Sequence, residues 1–204
     1  MFSKFNAVIS DLGKVVLWFD NSIFYRKMAN YCLLSAVEIR EIVHQSPEFL
    51  ELFDLGKMSP VEFYRWAIGR FGARMSYDEF MAAYVDVFSL NLPVFELLQK
   101  LKPKYRLILV SNVDPARFGF IQKKFPEILI FDGYVLSYEL GLMKPDPRVY
   151  EEALKLARAE PPACVFIDDM EENVRAAEAL GIKGILYKPT VNLEKELASL
   201  GVCP

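Results

Sequence analysis

Polar residues with complementary chemistry stand at four places in this chain, each just beyond an apolar run or in the loop that follows one. Asp11 follows Ala7-Val8-Ile9-Ser10, Ser111 and Asn112 follow Arg106–Val110, and Asp168-Asp169 follow Cys164-Val165-Phe166-Ile167. Lys144 lies in the loop Gly141-Leu142-Met143-Lys144-Pro145. Carboxylates, a lysine and a hydroxyl together suit a divalent cation and a phosphoryl group. Mg²⁺ takes a few carboxylates and completes its shell with phosphate oxygens, while lysine supplies a point charge to the phosphate. An anionic nucleophile approaches an anionic phosphate only where cations neutralise both, so this chemistry rests on positioning and charge.

Such residues act together only if the elements before them end at one place. Unbroken apolar runs rich in Val and Ile suit strands buried on both faces, as in a parallel sheet. Strands alternating with helices imply right-handed βαβ units, whose strand ends share one edge. Residues at those ends are where open α/β sheets place their chemistry. The alternation is clear after Asn91-Leu92-Pro93. Val94, Leu97, Leu98 and Leu101 predict a helix, Arg106–Val110 a strand, and Asp114-Pro115 a helix start reaching about Lys124. A strand over Phe131–Leu136, a helix after Asp146-Pro147, a strand at Cys164–Ile167 and a helix stopped by Gly181 follow. Gly184–Tyr187 is the last expected strand, and Leu193, Leu197 and Leu200 mark a closing helix.

From Asn21 to about Val87 the pattern is helical, with no strand signal. Phe80, Ala83, Tyr84 and Val87 fall at i, i+3, i+4 and i+7, the spacing of one apolar helix face. Phe63, Trp66 and Ala67 repeat it after Ser59-Pro60, and Phe49, Leu52 and Phe53 after Ser46-Pro47, ending at Gly56. Serine followed by proline is a helix start. The expected architecture is an α/β core from residues 1–16 and 90–204, with a helical lid over 17–89 hinged at Val16–Asp20 and Asn91–Pro93.

The bulk numbers exclude other classes. The 204 residues are 53% hydrophobic and 25% charged with a net charge of −3, so nothing points to a nucleic-acid or membrane partner. The start lacks an apolar h-region, and no run approaches the roughly 18 apolar residues of a membrane span. Cys32, Cys164 and Cys203 are odd in number and outside CxxC pairs, which fits a cytoplasmic protein better than a disulfide or zinc framework.

Each site residue also has a plainer reading. Asp169 with Glu172 three residues on forms a capping-box pattern, Asp11 suits an Asx-turn, Ser111 a loop hydroxyl and Lys144 a solvated side chain. The capping box leaves Asp168 unexplained, because adjacent carboxylates at one strand end repel.

Taken in order, these residues resemble the haloacid dehalogenase-like (HAD) superfamily. Asp11-Leu12-Gly13-Lys14-Val15, Val110-Ser111-Asn112, Lys144-Pro145 and Ile167-Asp168-Asp169 match its four motifs. The resemblance implies a Rossmann-like parallel sheet with an inserted α-helical C1 cap, and the DLG opening is similar to a subgroup with sugar-phosphate phosphatases and the phosphatase half of bifunctional epoxide hydrolases. It implies that Asp11 is a nucleophile forming an aspartyl phosphate, and that Mg²⁺ is held by Asp11, the Gly13 carbonyl and Asp169, with Asp168 acting through water. Ser111, Asn112 and Lys144 would bind the phosphoryl group of a small phosphorylated substrate.

The chain departs from the pattern at Gly13, where most family phosphatases carry a second Asp that protonates the leaving group. A lost general acid costs about 10²–10⁴ in rate. Asp20 and His44 are conceivable substitutes, and Lys14 stands where a small residue is common. Trp18, Phe19, Asp20 and Tyr25, at the entrance to the insertion, either set specificity or pack the hinge. Alternatives to the Mg²⁺-dependent phosphatase are a non-catalytic binding module and a 2-haloacid dehalogenase.

Overall fold

A computed structural model describes residues 4–204; residues 1–3, assigned with the core from sequence, lie outside the described residues. The chain opens on β1 (Ala7–Ser10), then β2 (Leu17–Phe19). Helices α1 (Asn21–Met28), α2 (Ala36–His44), α3 (Pro47–Asp54), α4 (Pro60–Phe71) and α5 (Tyr77–Val85) follow. After β3 (Phe88–Leu90) come α6 (Leu92–Leu101), β4 (Arg106–Ser111), α7 (Pro115–Lys124), β5 (Gly133–Leu136) and α8 (Ser137–Leu140). The chain closes with α9 (Pro147–Ala157), β6 (Cys164–Asp168), α10 (Glu171–Ala179), β7 (Lys183–Leu186) and α11 (Leu193–Ser199).

Five strands form one sheet in the order β5-β4-β1-β6-β7, and each adjacent pair is parallel. β1 is central, and its apolar run is buried on both faces as expected. Ala7 and Ile9 pack with Val110, Phe166 and Tyr150 on one side. Val8 packs with Leu107, Leu109 and Ile167 on the other. The chain runs outward from β1 through β4 and β5, then returns to β6 and β7 on the opposite side. β1 is thus the point where strand order reverses, where a crevice opens at the strand ends.

The helical block packs around its own cluster, with Phe53, Phe63 and Phe80 fully buried in it. Phe53 stacks on Phe63 with centroids 4.4 Å apart. Ser35, Ser59 and Ser76 each form a capping box with the glutamate three residues on, satisfying orphan donors at the helix starts. Ser46 stands at the start of α3 without a side-chain cap bond.

The expected hinges carry structure that the sequence pattern does not show. β2 and β3 pair antiparallel, Leu17 with Leu90 and Phe19 with Phe88. Three-residue strands are too short to display a period, and their pairing spans the whole insertion. Asn91 ties this ribbon to the core, donating to the Val15 carbonyl at 2.7 Å and to Tyr187 Oη at 3.1 Å. β5 begins at Gly133 rather than Phe131 because the Asp132 carboxylate, not a strand ladder, accepts the Leu107 N–H at 2.9 Å. Among the described residues no helix is long and apolar enough to cross a membrane.

Candidate active site

The parallel register brings the polar residues together. The Asp11 N–H donates to the Ile167 carbonyl at 2.8 Å, so Asp11 emerges beside the end of β6, where Asp168 is the last strand residue. Ser111 ends β4 on the other side of β1. Asp11, Gly13, Ser111, Asn112, Lys144 and Asp169 all line one cavity of about 310 Å³, a size suited to a small metabolite.

Lys144 organises the floor. Its Nζ donates to Asp11 Oδ1 at 2.6 Å, Asp168 Oδ2 at 2.7 Å and the Val110 carbonyl at 3.2 Å. The lysine is buried, so the solvated reading does not hold. Burial alone would push its ammonium down, but the two carboxylates outweigh it and hold the proton above the ordinary lysine value. Burial lifts the Asp11 carboxyl to about 6, against the pull of Lys144 and with the push of Asp168.

Asn112 holds the loop that carries the lysine. Its Oδ1 accepts the Lys144 N–H at 2.9 Å, and its Nδ2 donates to the Lys144 carbonyl at 3.0 Å. The peptide bond from Lys144 to Pro145 is cis.

Asp168 is fully buried. Its Oδ1 accepts the Met170 N–H at 2.8 Å, and Asn173 Nδ2 lies 3.1 Å from both of its oxygens. Asn173 escaped the sequence reading; the available signal is an Asn beside Val174 and Ala177 on the buried face of α10. The capping-box reading of Asp169 fails, since Met170 is the N-cap residue of α10 and no side chain caps the helix. Asp169 is instead half-buried, with Lys14 Nζ 3.6 Å from its Oδ2. Lys14 takes a left-handed backbone at φ 56°.

The donor set fits a hard divalent cation. Carboxylate oxygens of Asp11, Asp168 and Asp169 lie within 4.8 Å of one another, and oxygen-only sites favour Mg²⁺ or Ca²⁺ over softer metals. Three carboxylates against the ammoniums of Lys14 and Lys144 leave a net −1, the wrong sign for receiving a phosphate dianion. A divalent cation reverses that sign. Asp168 is committed to Lys144, Met170 and Asn173, so Asp11 and Asp169 are the carboxylates with free oxygens to offer.

Gly13 lines the same cavity. A Cβ there would lie 3.1 Å from Phe19 Cε1, so the ribbon's aromatic crowds the space where an acidic side chain would begin. Neither suggested substitute reaches the cavity wall. Asp20 caps α1, accepting the Ser22 N–H at 2.9 Å. His44 borders a neighbouring chamber of about 180 Å³, together with Tyr25, Phe63 and Trp66, that shares Tyr84 and Arg117 with the active cavity. Trp18 packs against Tyr187, while Phe19 does line the active cavity.

The rest of the lining is polar in a way the motifs do not indicate. Asp54, Tyr84 and Arg117 also line the cavity. Arg117 donates to Asn21 Oδ1 at 2.9 Å, stacks 4.1 Å over the Tyr84 ring, and leaves its Nε without an acceptor. Tyr84 Oη donates to Asp114 Oδ2 at 2.7 Å. Asp114, expected only to cap α7, does accept the Arg117 N–H at 2.8 Å but is also wholly buried in this cluster.

A family model for haloacid dehalogenase-like hydrolases matches residues 28–181. The chain is 27% identical to sesquiterpene phosphatase astK of Aspergillus oryzae, over 100% of both chains. It is 25% identical to D-ribitol-5-phosphate phosphatase of Bacteroides thetaiotaomicron, covering 86% of this chain and 88% of that one. The fold superimposes on a magnesium complex of the HAD family enzyme bt-2542 from Bacteroides thetaiotaomicron. That match has a TM-score of 0.83 at 23% identity, covering 96% of this chain and 99% of the other.

Proposed function

This chain belongs to the haloacid dehalogenase-like hydrolase family, and we propose that it is a Mg²⁺-dependent phosphatase acting on a small phosphorylated metabolite through an aspartyl phosphate. The observation that carries the reading is the placement of Lys144 between Asp11 and Asp168 in a cavity that also holds Ser111 and Asp169. Phosphatase relatives across nearly the full length support it.

Asp11 Oδ2 faces no described donor, which leaves it to attack phosphorus while Lys144 holds Oδ1. Ser111 binds the phosphoryl oxygens, and Lys144 offers them its positive charge while its three N–H groups stay on Asp11, Asp168 and the Val110 carbonyl. Asn112 keeps the lysine loop in register with β4. Asp11, Asp169 and the Gly13 carbonyl would hold Mg²⁺, with Asp168 steering Lys144 and reaching the ion through water. Bound Mg²⁺ would neutralise charge between nucleophile and phosphate. The helical block over residues 17–89 acts as a cap whose Phe19, Asp54 and Tyr84 close over the substrate. A dehalogenase would gain nothing from Asp169 beside Asp168, since both repel a carboxylate substrate.

The test is hydrolysis of 4-nitrophenyl phosphate with and without Mg²⁺, beside Asp11→Asn. Turnover that needs the metal and vanishes in the variant supports the reading. Turnover that survives chelation or Asp11→Asn overturns it, as does chloride release from 2-haloacids.

A further inference from the structure

We propose that Asp54, the last residue of α3, is the acid that protonates the leaving group, the role Gly13 leaves empty; the inference rests on the phosphatase reading. Asp54 lines the same cavity as Asp11, Ser111 and Lys144. Its carboxylate bonds no described residue, whereas the other proton carriers lining the cavity are committed. Lys144 is held by two carboxylates, Tyr84 donates to Asp114, and Lys14 reaches Asp169. Arg117 keeps its proton throughout the working range.

The position of Asp54 is set by the core rather than by the cap alone. Ser137 Oγ donates to the Asp54 carbonyl at 2.6 Å and accepts the Val113 N–H at 2.9 Å, linking α3 to the loop after β4. Two residues on, Gly56 runs so close to α8 that a Cβ would lie 2.4 Å from the Tyr138 carbonyl. The end of α3 is therefore pinned beside the site.

Its surroundings suit a group that both gives and takes a proton at neutral pH. Burial and the neighbouring Asp114 raise the Asp54 carboxyl to about 7, against the pull of Arg117. Tyr84 on α5 is turned to Asp114, and on α8 the Tyr138 phenol donates to Glu139. A catalytic acid works best with its pKa near the operating pH.

As Asp11 bonds to phosphorus, the P–O bond to the leaving group breaks. Its electron pair stays on the leaving oxygen, which takes the proton of the Asp54 carboxylic acid. Asp54 carboxylate then takes a proton from the water that attacks the aspartyl phosphate. The P–O bond to Asp11 breaks, the carboxylate is regenerated, and the acid is restored.

Benzyl phosphate and 4-nitrophenyl phosphate are similar in size, but only the benzyl alkoxide needs a proton to leave. With Asp54→Asn, kcat on benzyl phosphate should fall by about 10²–10⁴, and at least tenfold further than on 4-nitrophenyl phosphate. Asp54→Glu should recover part of the difference. In the wild type, kcat on benzyl phosphate should decline as pH rises past about 7, a limb missing in Asp54→Asn. Equal losses on both esters, or an unchanged pH profile, overturn the role of Asp54 while leaving the phosphatase reading intact. Wild type that hydrolyses neither ester overturns both. If Asp54→Asn does not fold, the wild-type profile decides, and absence of the limb near pH 7 rejects the proposal.

Discussion

The ammonium of Lys144 lies 2.6 Å from Asp11 Oδ1 across a sequence separation of 133 residues. Its other bonds run to Asp168 and to the Val110 carbonyl. All three acceptors belong to the ends of β1, β6 and β4, so one buried cation ties adjacent strand ends together. It also keeps two buried carboxylates from facing each other unpaired.

Removing that cation should cost stability as well as activity. Breaking a buried pair from one side costs about 3–5 kcal/mol. About 1 kcal/mol moves Tm by roughly 2–4 °C at this chain length. Lys144→Met should therefore lower Tm by on the order of 10 °C. Lys144→Arg should not rescue it, because a planar fork cannot place its donors on three converging acceptors. A thermal melt of the metal-free protein checks this, and a loss under about 3 °C contradicts it.

Mg²⁺ should raise Tm of the wild type and leave Asp169→Asn unmoved. A ligand at a hundred times its Kd stabilises by about 2.7 kcal/mol, well within the reach of calorimetry. An equal rise in wild type and variant would place the ion elsewhere.

Lys14→Ala should tighten Mg²⁺ binding. Its ammonium stands 3.6 Å from Asp169 and repels a cation held there. Exposed pairs of this kind are worth about 0.2–1 kcal/mol, which corresponds to an affinity gain of up to about fivefold. Lys14→Gly should match it and add stability, because glycine accepts the positive φ of this position without strain. Isothermal titration decides, and weaker binding in both variants would make Lys14 part of the metal environment.

Asp54 should leave a mark on stability against pH. Its folded pKa of about 7 lies above the ordinary 3.8, so folding favours the neutral acid. The stability it lends is complete below about pH 4 and is lost as pH rises through about 7. Asp54→Asn carries no charge to bury, so its Tm should gain on that of the wild type between pH 5 and pH 8. A difference in Tm that stays constant over that range would mean Asp54 titrates as an ordinary surface carboxylate.

Much of this was legible in the residues themselves. β1, β4 and β6 are buried on both faces, so their apolar runs stand out against the alternating patterns of half-exposed elements. Because parallel strands end on one edge, the sequence alone leads one to expect Asp11, Ser111 and Asp168-Asp169 to meet. Ser59, Asp114 and Asp146 start helices where local side-chain chemistry alone decides the outcome.

What escaped depends on contacts between elements. The β2–β3 ribbon joins residues on either side of the whole insertion, and each strand is too short to carry a pattern. Asp54 looks like a solvent-facing helix end, and only the packing of α3 onto α8 places it on the cavity that Asp11 lines. Asn173 reads as one more polar helix residue until α10 lays it on Asp168. The sequence alone determined the parallel core and the four loops that meet at its edge, because strand burial and helix starts are local properties. The tertiary structure alone decided which carboxylates are committed, what crowds Gly13 and which residues share the cavity with Asp11, because those follow from how the helical block packs against the sheet.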